Sequence, residues 1–326
     1  MLKYIFKRIL HLIPVIFLIS VILFSLIQLM PGDPVNAYLG VGSNVSAAQQ
    51  QQIREKLGLD QPAYVQYVKW AGRTLTGDLG RSMKHRKPVT EVIGTFIGNS
   101  FILNVFAMIF AFGIAIPAGI KSAVKKYGLF DNTFTVFTFM GVSMPSFFFA
   151  LILVFFVAVP LPFIPLSGMR DTMMSVRGYP SFLAEVFDVG RHMILPVIVL
   201  TILSLASLTR YVRNSVIEVI NQDYIRTARS KGLKEKVVIY KHAFRNALLP
   251  LITILGMWIP RLFAGSVLLE TVFLWPGVGR ILYQSIVDRD TTMLMAANMF
   301  YALLRVSGNL LADVSYGLAD PRVRIK

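Results

Sequence analysis

Residues 9–32, 92–120, 132–169 and 192–209 contain no Asp, Glu, Lys or Arg. A helix needs roughly 20 apolar residues to cross about 30 Å of hydrocarbon, so these runs predict four membrane spans. Two further apolar stretches, 246–269 and 291–312, are each interrupted by a single arginine, Arg261 and Arg305. Counting them gives six. The chain of 326 residues is 55% hydrophobic and 15% charged, where a soluble domain keeps about a quarter of its residues charged. The expected fold class is therefore an all-α membrane protein of six transmembrane helices.

Charge placement predicts the orientation. Lys3, Lys7 and Arg8 precede the first span, Lys121, Lys125 and Lys126 follow the second, and Arg322, Arg324 and Lys326 close the chain. Between Arg210 and Arg245 there are nine basic residues against three acids, whereas 170–191 holds three of each. The positive-inside rule then puts both termini and the 213–245 loop on the cytoplasmic side of a multi-pass membrane protein. The net charge of +16 is gathered beside apolar segments, which argues against a nucleic-acid partner and for a lipid bilayer. The first uncharged run is too long for a signal-peptide core and no small-residue cleavage site follows it. There is no cysteine, which excludes disulfides and thiolate chemistry.

The segment 33–91 reads as an outer helical element. Ser46 is placed to cap a helix ending at Leu57, with Gly58 just beyond, and Asp60 and Pro62 are placed to open a second carrying Tyr64, Tyr67 and Trp70. Pro117, Pro145, Pro196, Pro250 and Pro260 lie in or beside spans, where they mark kinks. The cluster Pro160, Pro162 and Pro165 ends the third span. The domain reading is 1–95 for the first span and outer segment, 96–318 for a five-span core, and 319–326 for a cytoplasmic tail.

The basic island 222–250, QDYIRTARSKGLKEKVVIYKHAFRNALLP, reads as helix, glycine break at Gly232, and a second helix from about Glu235. By charge alone it is also an ordinary cytoplasmic loop. Its residue order resembles the coupling loop of ABC importer permeases, in the dipeptide and oligopeptide branch. Ala228 stands four residues before Gly232 as in that family; Arg226 and Thr227 replace the commoner Glu and Ala, and Pro250 comes late, as in the peptide branch. FSLIQLMPGDP, LGLDQPAYVQY, GDLGRS, GVSMPSFFFA, HMILPVIVL, LLETVFLWPGVGR and NLLADVSYGLADPR extend the resemblance over nearly the whole chain. One departure is Asn99-Ser100, where Pro-Thr is typical, with only a local effect expected.

The resemblance implies a type I ABC importer permease with an outer helical segment between spans 1 and 2. It implies a homologous second permease, two cytoplasmic ATPase subunits and an extracytoplasmic binding protein as partners. ATP and Mg are then bound by the ATPase subunits and no cofactor by this chain. Asp223, Tyr224, Arg226, Thr227, Ala228, Arg229, Lys231, Gly232 and Leu233 would meet an ATPase subunit. The cargo would be di- or oligopeptides, with nickel chelates, glutathione, opines or sugars as alternatives. Consistently, no G-x-x-x-x-G-K-[ST], H-E-x-x-H or G-x-S-x-G occurs, and the four histidines are scattered. A self-sufficient secondary transporter would need carboxylates within its spans, and only Asp313 comes close. A scaffold would leave the intramembrane arginines unexplained.

An arginine at mid-depth costs about 2.5–3.5 kcal/mol on insertion scales, so Arg261 and Arg305 should face protein or a wet path. Taking Glu270 at the outer surface, Arg261 lies about 13 Å deep at 1.5 Å per residue. Asn309 and Asp313 follow Arg305 on one helix face. These four residues either line a translocation path or serve as structural pairing groups.

Overall fold

A computed structural model describes residues 2–30, 35 and 46–319, and these are helical apart from their turns and connections. The chain opens with α1 (Leu2–Gln28), then α2 (Ala47–Leu57) and α3 (Ala63–Leu75). The expected cap is present: Ser46 and Gln49 form a reciprocal capping box, and Gly58 closes α2 with φ +69°. Pro62, not Asp60, occupies the cap position of α3. The hydroxyls of Ser20 and Tyr67 are 2.9 Å apart, Gln28 donates to Gln66 at 3.0 Å, and Phe24 meets Tyr67 edge-on, so α3 lies against the end of α1. Elsewhere α1 bares Phe6, Ile13, Phe17, Leu18, Ile22 and Leu26, an apolar surface suited to lipid.

Two long helices form the centre, α4 (Val89–Val124) and α8 (Phe182–Ile220). At 36 and 39 residues they run roughly 54 and 58 Å, well beyond the hydrocarbon. A side chain at Gly119 would stand 2.6 Å from Cβ of Val212, so glycine is what lets the two axes approach there. Pro117 and Pro196 sit inside these helices. The boundary read at 95/96 falls within α4.

Between them the uncharged third run is not one rod. It forms α5 (Leu129–Ser143) and α6 (Ser146–Leu153), the latter continued by a π turn at Val154–Ala158, with a bend of 105° at Met144–Pro145. Proline disfavours helical backbone in the residue before it, and Met144 is extended at ψ 141°. The foot of α5 is tied to α8 where Arg213 grips Asp131 with two bonds of 2.8 Å. A short α7 (Thr172–Arg177) precedes α8. Asp188 of α8 accepts from the Asp171 backbone and the Tyr179 hydroxyl, anchoring that connection.

After α8 come α9 (Asp223–Ser230), α10 (Glu235–Val237), a π turn at Val238–Ala243 and α11 (Phe244–Phe263). Pro250 lies within α11, not at the end of the loop, because helical backbone already begins at Glu235. The chain then breaks at residues 264–266 and continues as α12 (Val267–Val272), α13 (Val278–Val287) and α14 (Thr291–Ala319). One end of the bundle packs Ile120, Val212 and Val216 against Ile239 and Ala247. The opposite end packs Val89 and Val92 against Val278, Met293 and Ala297.

Among the described residues, four helical stretches are long and apolar enough to cross a membrane, or five if the bent α5–α6 pair counts as one span. The 29-residue α14 falls short of the same apolarity because Asn298, Arg305 and Asn309 interrupt it. The tail beyond Ala319 lies outside the described residues.

Candidate functional site

The short α9 stands clear of the bundle on two buried side chains. Ile225 and Ala228, three residues apart, lie on one face and pack against Val238 and Ala243 of the following π turn. The alanine is small because it is pressed into that contact at 6% exposure. The other eight residues of the expected surface, Asp223, Tyr224, Arg226, Thr227, Arg229, Lys231, Gly232 and Leu233, are all exposed. The platform thus presents two large apolar side chains, Tyr224 and Leu233, among cations, a composition suited to a protein partner.

Its shape is set by the turn after it. Gly232 has φ +75°, and nothing lies within 4 Å of where its Cβ would be. Glycine is required there by the backbone, not by crowding within this chain. Arg229 reaches across the turn to Glu235 with bonds of 2.7 and 3.2 Å. Hydrogen bonding from Arg229 holds the Glu235 carboxyl below its ordinary range, and the same bond raises Arg229. Exposed pairs of this kind contribute at most about 1 kcal/mol, so the pair orients the turn more than it stabilises the fold. Ile225, buried beneath this surface, and Tyr240, exposed on the π turn beside it, were not picked out from sequence. The spacing of Ile225 and Ala228 was the available signal.

Arg261 and Arg305 sit on the neighbouring helices α11 and α14, which meet where Gly308 packs against Pro260. Both are exposed on this chain and neither forms an ion pair among the described residues. Arg261 lies 5.6 Å over the Trp258 ring. Asn309 is exposed one turn beyond Arg305, as expected on an unbroken helix; the side chain of Asp313 is outside the described set. The depth assigned to Arg261 fails, because the break at 264–266 removes the continuous helical rise on which it relied. Glu270, the reference point for that depth, is itself buried against protein at 1% exposure.

Glu270 is the centre of a node that sequence reasoning missed. Ser100 Oγ donates to its Oε1 at 2.8 Å and the Arg280 N–H donates to Oε2 at 3.0 Å. Gly265, Gly277 and Gly279 surround the carboxylate, each too close to admit a Cβ. Ser100 also accepts from the Val278 N–H, while Asn99 donates to the Pro276 carbonyl and Trp275 Nε1 donates to that of Asn99. The Asn99-Ser100 pair therefore anchors the ETVFLWPGVGR segment to α4, an effect well beyond the local one expected. Among the described residues no group of His, Cys, Asp and Glu has metal-site spacing.

Residues 115–325 match the family model described as "Binding-protein-dependent transport system inner membrane component", and residues 1–105 match the N-terminal model of such membrane components. Over 324 residues the chain is 40% identical to an oligopeptide transport system permease protein of Bacillus subtilis, covering 99% of both chains. It is 37% identical to a di/tripeptide transport system permease of Pseudomonas aeruginosa, covering 99% of each. A dipeptide transport system permease of Escherichia coli K12 is also 37% identical, with 100% of each covered. Among solved structures, a chain of the MetNI methionine ABC transporter in inward-facing conformations superposes with a TM-score of 0.51 at 16% identity. That match covers 69% of this chain and 97% of the other, and it shows a shared fold.

Proposed function

The chain belongs to the family of binding-protein-dependent transport system inner membrane components, and from that premise we propose that it is the permease subunit of an ATP-driven importer of di- or oligopeptides. The observation that carries the reading is the α9 platform, an exposed, partner-ready surface fixed by Ile225, Ala228 and the left-handed turn at Gly232. It belongs to a chain whose sequence holds no phosphate-binding loop. The energy is supplied by two cytoplasmic ATPases whose closure pushes on α9. Because α9 follows α8 directly and Arg213 couples α8 to α5, that push tilts the central helices together. A second permease completes the path, and a binding protein delivers the cargo from outside. The peptide assignment draws on three full-length relatives described as peptide permeases.

In this reading six helices span the membrane: α1, α4, the bent α5–α6 pair, α8, α11 with α12, and α14. Both termini and α9 are cytoplasmic, and α2 and α3 lie outside. The absence of native cysteine makes this directly testable. A cysteine at Ala48 should react with an impermeant maleimide applied from outside, and one at Ser230 only after permeabilisation; the reverse pattern refutes the topology.

The functional experiment is reconstitution with the ATPases, second permease and binding protein in proteoliposomes. Labelled dipeptide should accumulate only with ATP. With Arg305→Gln, uptake should fall about tenfold while assembly and basal ATPase activity persist, as expected when one charge-assisted contact of about 1.5 kcal/mol is lost. Failure of the variant to assemble would make Arg305 a structural pairing group, and no peptide uptake by the unmodified complex would overturn the cargo assignment.

A further inference from the structure

A cavity of about 760 Å³ lies where the tip of α1, α3, the 78–86 loop and the start of α14 converge. That is within the range of roughly 300–1,000 Å³ that holds small ligands. Four cations line it, Lys69, Arg73, Arg81 and Arg86, against one carboxylate, Asp78. Asp78 is already engaged, accepting from the Gly80 N–H at 2.9 Å. Arg81 donates to the Arg86 carbonyl, and none of the four forms an ion pair among the described residues. All four are exposed, so an anion entering the cavity meets positive charge that no ion pair within the described residues neutralises.

The remaining wall says which anion. Phe24 and Ile27 of α1, with Leu79 and Met295, give the cavity an apolar side. Phe24 and Ile27 end the same helix whose flank bares Phe17, Leu18, Ile22 and Leu26. Trp70 lines the cavity and Tyr67 packs on Phe24, aromatic residues of the kind that sit at headgroup level. A free phosphate would use the cations and leave the apolar wall bare; a molecule with a charged head and a hydrocarbon tail uses both.

We propose that this cavity binds the phosphate headgroup of an anionic glycerophospholipid, with its glycerol and upper acyl chain along Phe24 and Ile27. Lys69 and Arg73, one turn apart on α3, supply charge-assisted bonds to the phosphate, and Arg81 and Arg86 supply them from the loop. The occupant bridges α3, the loop and α14, and the leaflet is the outer one, a detail that rests on the topology proposed above.

The test uses the assembled transporter in detergent, with lipid retention read by native mass spectrometry, so it depends on neither uptake nor cargo. Phosphatidylglycerol should be retained about tenfold over phosphatidylethanolamine, and the double variant Lys69→Gln with Arg73→Gln should bring the ratio to within about twofold. Arg73→Lys, which keeps the charge, should retain most of the preference, and this separates lost charge from lost fold. Equal retention of the two lipids by the unmodified complex overturns the proposal, as does a preference that survives in the double variant. Displacement of the lipid by equimolar glycerol phosphate would assign the site to a soluble phosphate, and displacement by a dipeptide would assign it to cargo; either overturns the lipid reading.

Discussion

Replacing Gly232 with leucine is expected to abolish coupled uptake while leaving the protein in the membrane. At φ +75° a residue with a Cβ carries a penalty of about 1–2 kcal/mol. That alone will not unfold the bundle, and the new side chain meets nothing within this chain. Its bulk instead projects from the turn between Lys231 and Leu233, into the surface proposed to meet the ATPase. Uptake in proteoliposomes should fall more than about tenfold, with ATP hydrolysis continuing but no longer driving transport. Gly232→Ala separates the two causes, since it has the same backbone penalty with little bulk and should keep most of the activity. Wild-type uptake by the leucine variant would remove α9 from the coupling path.

The second large effect is expected at Glu270. Truncation to alanine leaves Ser100 Oγ and the Arg280 N–H without their acceptor and opens a void under three glycines. Each orphaned group costs about 1–3 kcal/mol, so a total near 3–5 kcal/mol and a drop of several degrees in thermal unfolding are expected. Gly277→Ala attacks the same node from the other side, placing a methyl 2.5 Å from the Glu270 carboxyl carbon and from Ser100 Oγ. Glu270→Gln keeps the shape and should be the mildest of the three. A thermal-shift series in which alanine is no worse than glutamine would show that the carboxylate's bonds do not hold this segment to α4.

What could be read from sequence divides along physical lines. The long apolar helices α1, α4 and α8 were legible because the cost of burying charge dominates, and Lys121 or Arg210 ends an apolar run whatever its neighbours do. Ser46 and Gly58 were legible because capping is local, settled within four residues. The bend at Pro145 was marked by the proline, but its 105° angle depends on what α5 and α6 pack against. The burial of Glu270 was hidden for a stronger reason: a glutamate in an apolar stretch reads as an outer boundary unless Ser100, 170 residues earlier, is known to face it. On α9 the exposed polar residues were found and the buried Ile225 was not, since charge drew attention to the face that does not pack.

Asp290 joins distant parts of the chain in another way. Its Oδ1 caps α14 by accepting from the Met293 N–H at 3.0 Å, while its Oδ2 accepts from Ser82 Oγ and the Lys84 N–H. Ser82 and Asp290 are 208 residues apart. At roughly 5–20 residues per second, a ribosome needs about 10–40 s after making Ser82 before its acceptor exists. Throughout that interval the hairpin around residues 78–88 has been synthesised without its anchor, and α1 has no α14 to pack on. Closure of this end is thus among the last events of biogenesis, and for those seconds the nascent permease offers proteases and chaperones a loop that the finished protein keeps fastened.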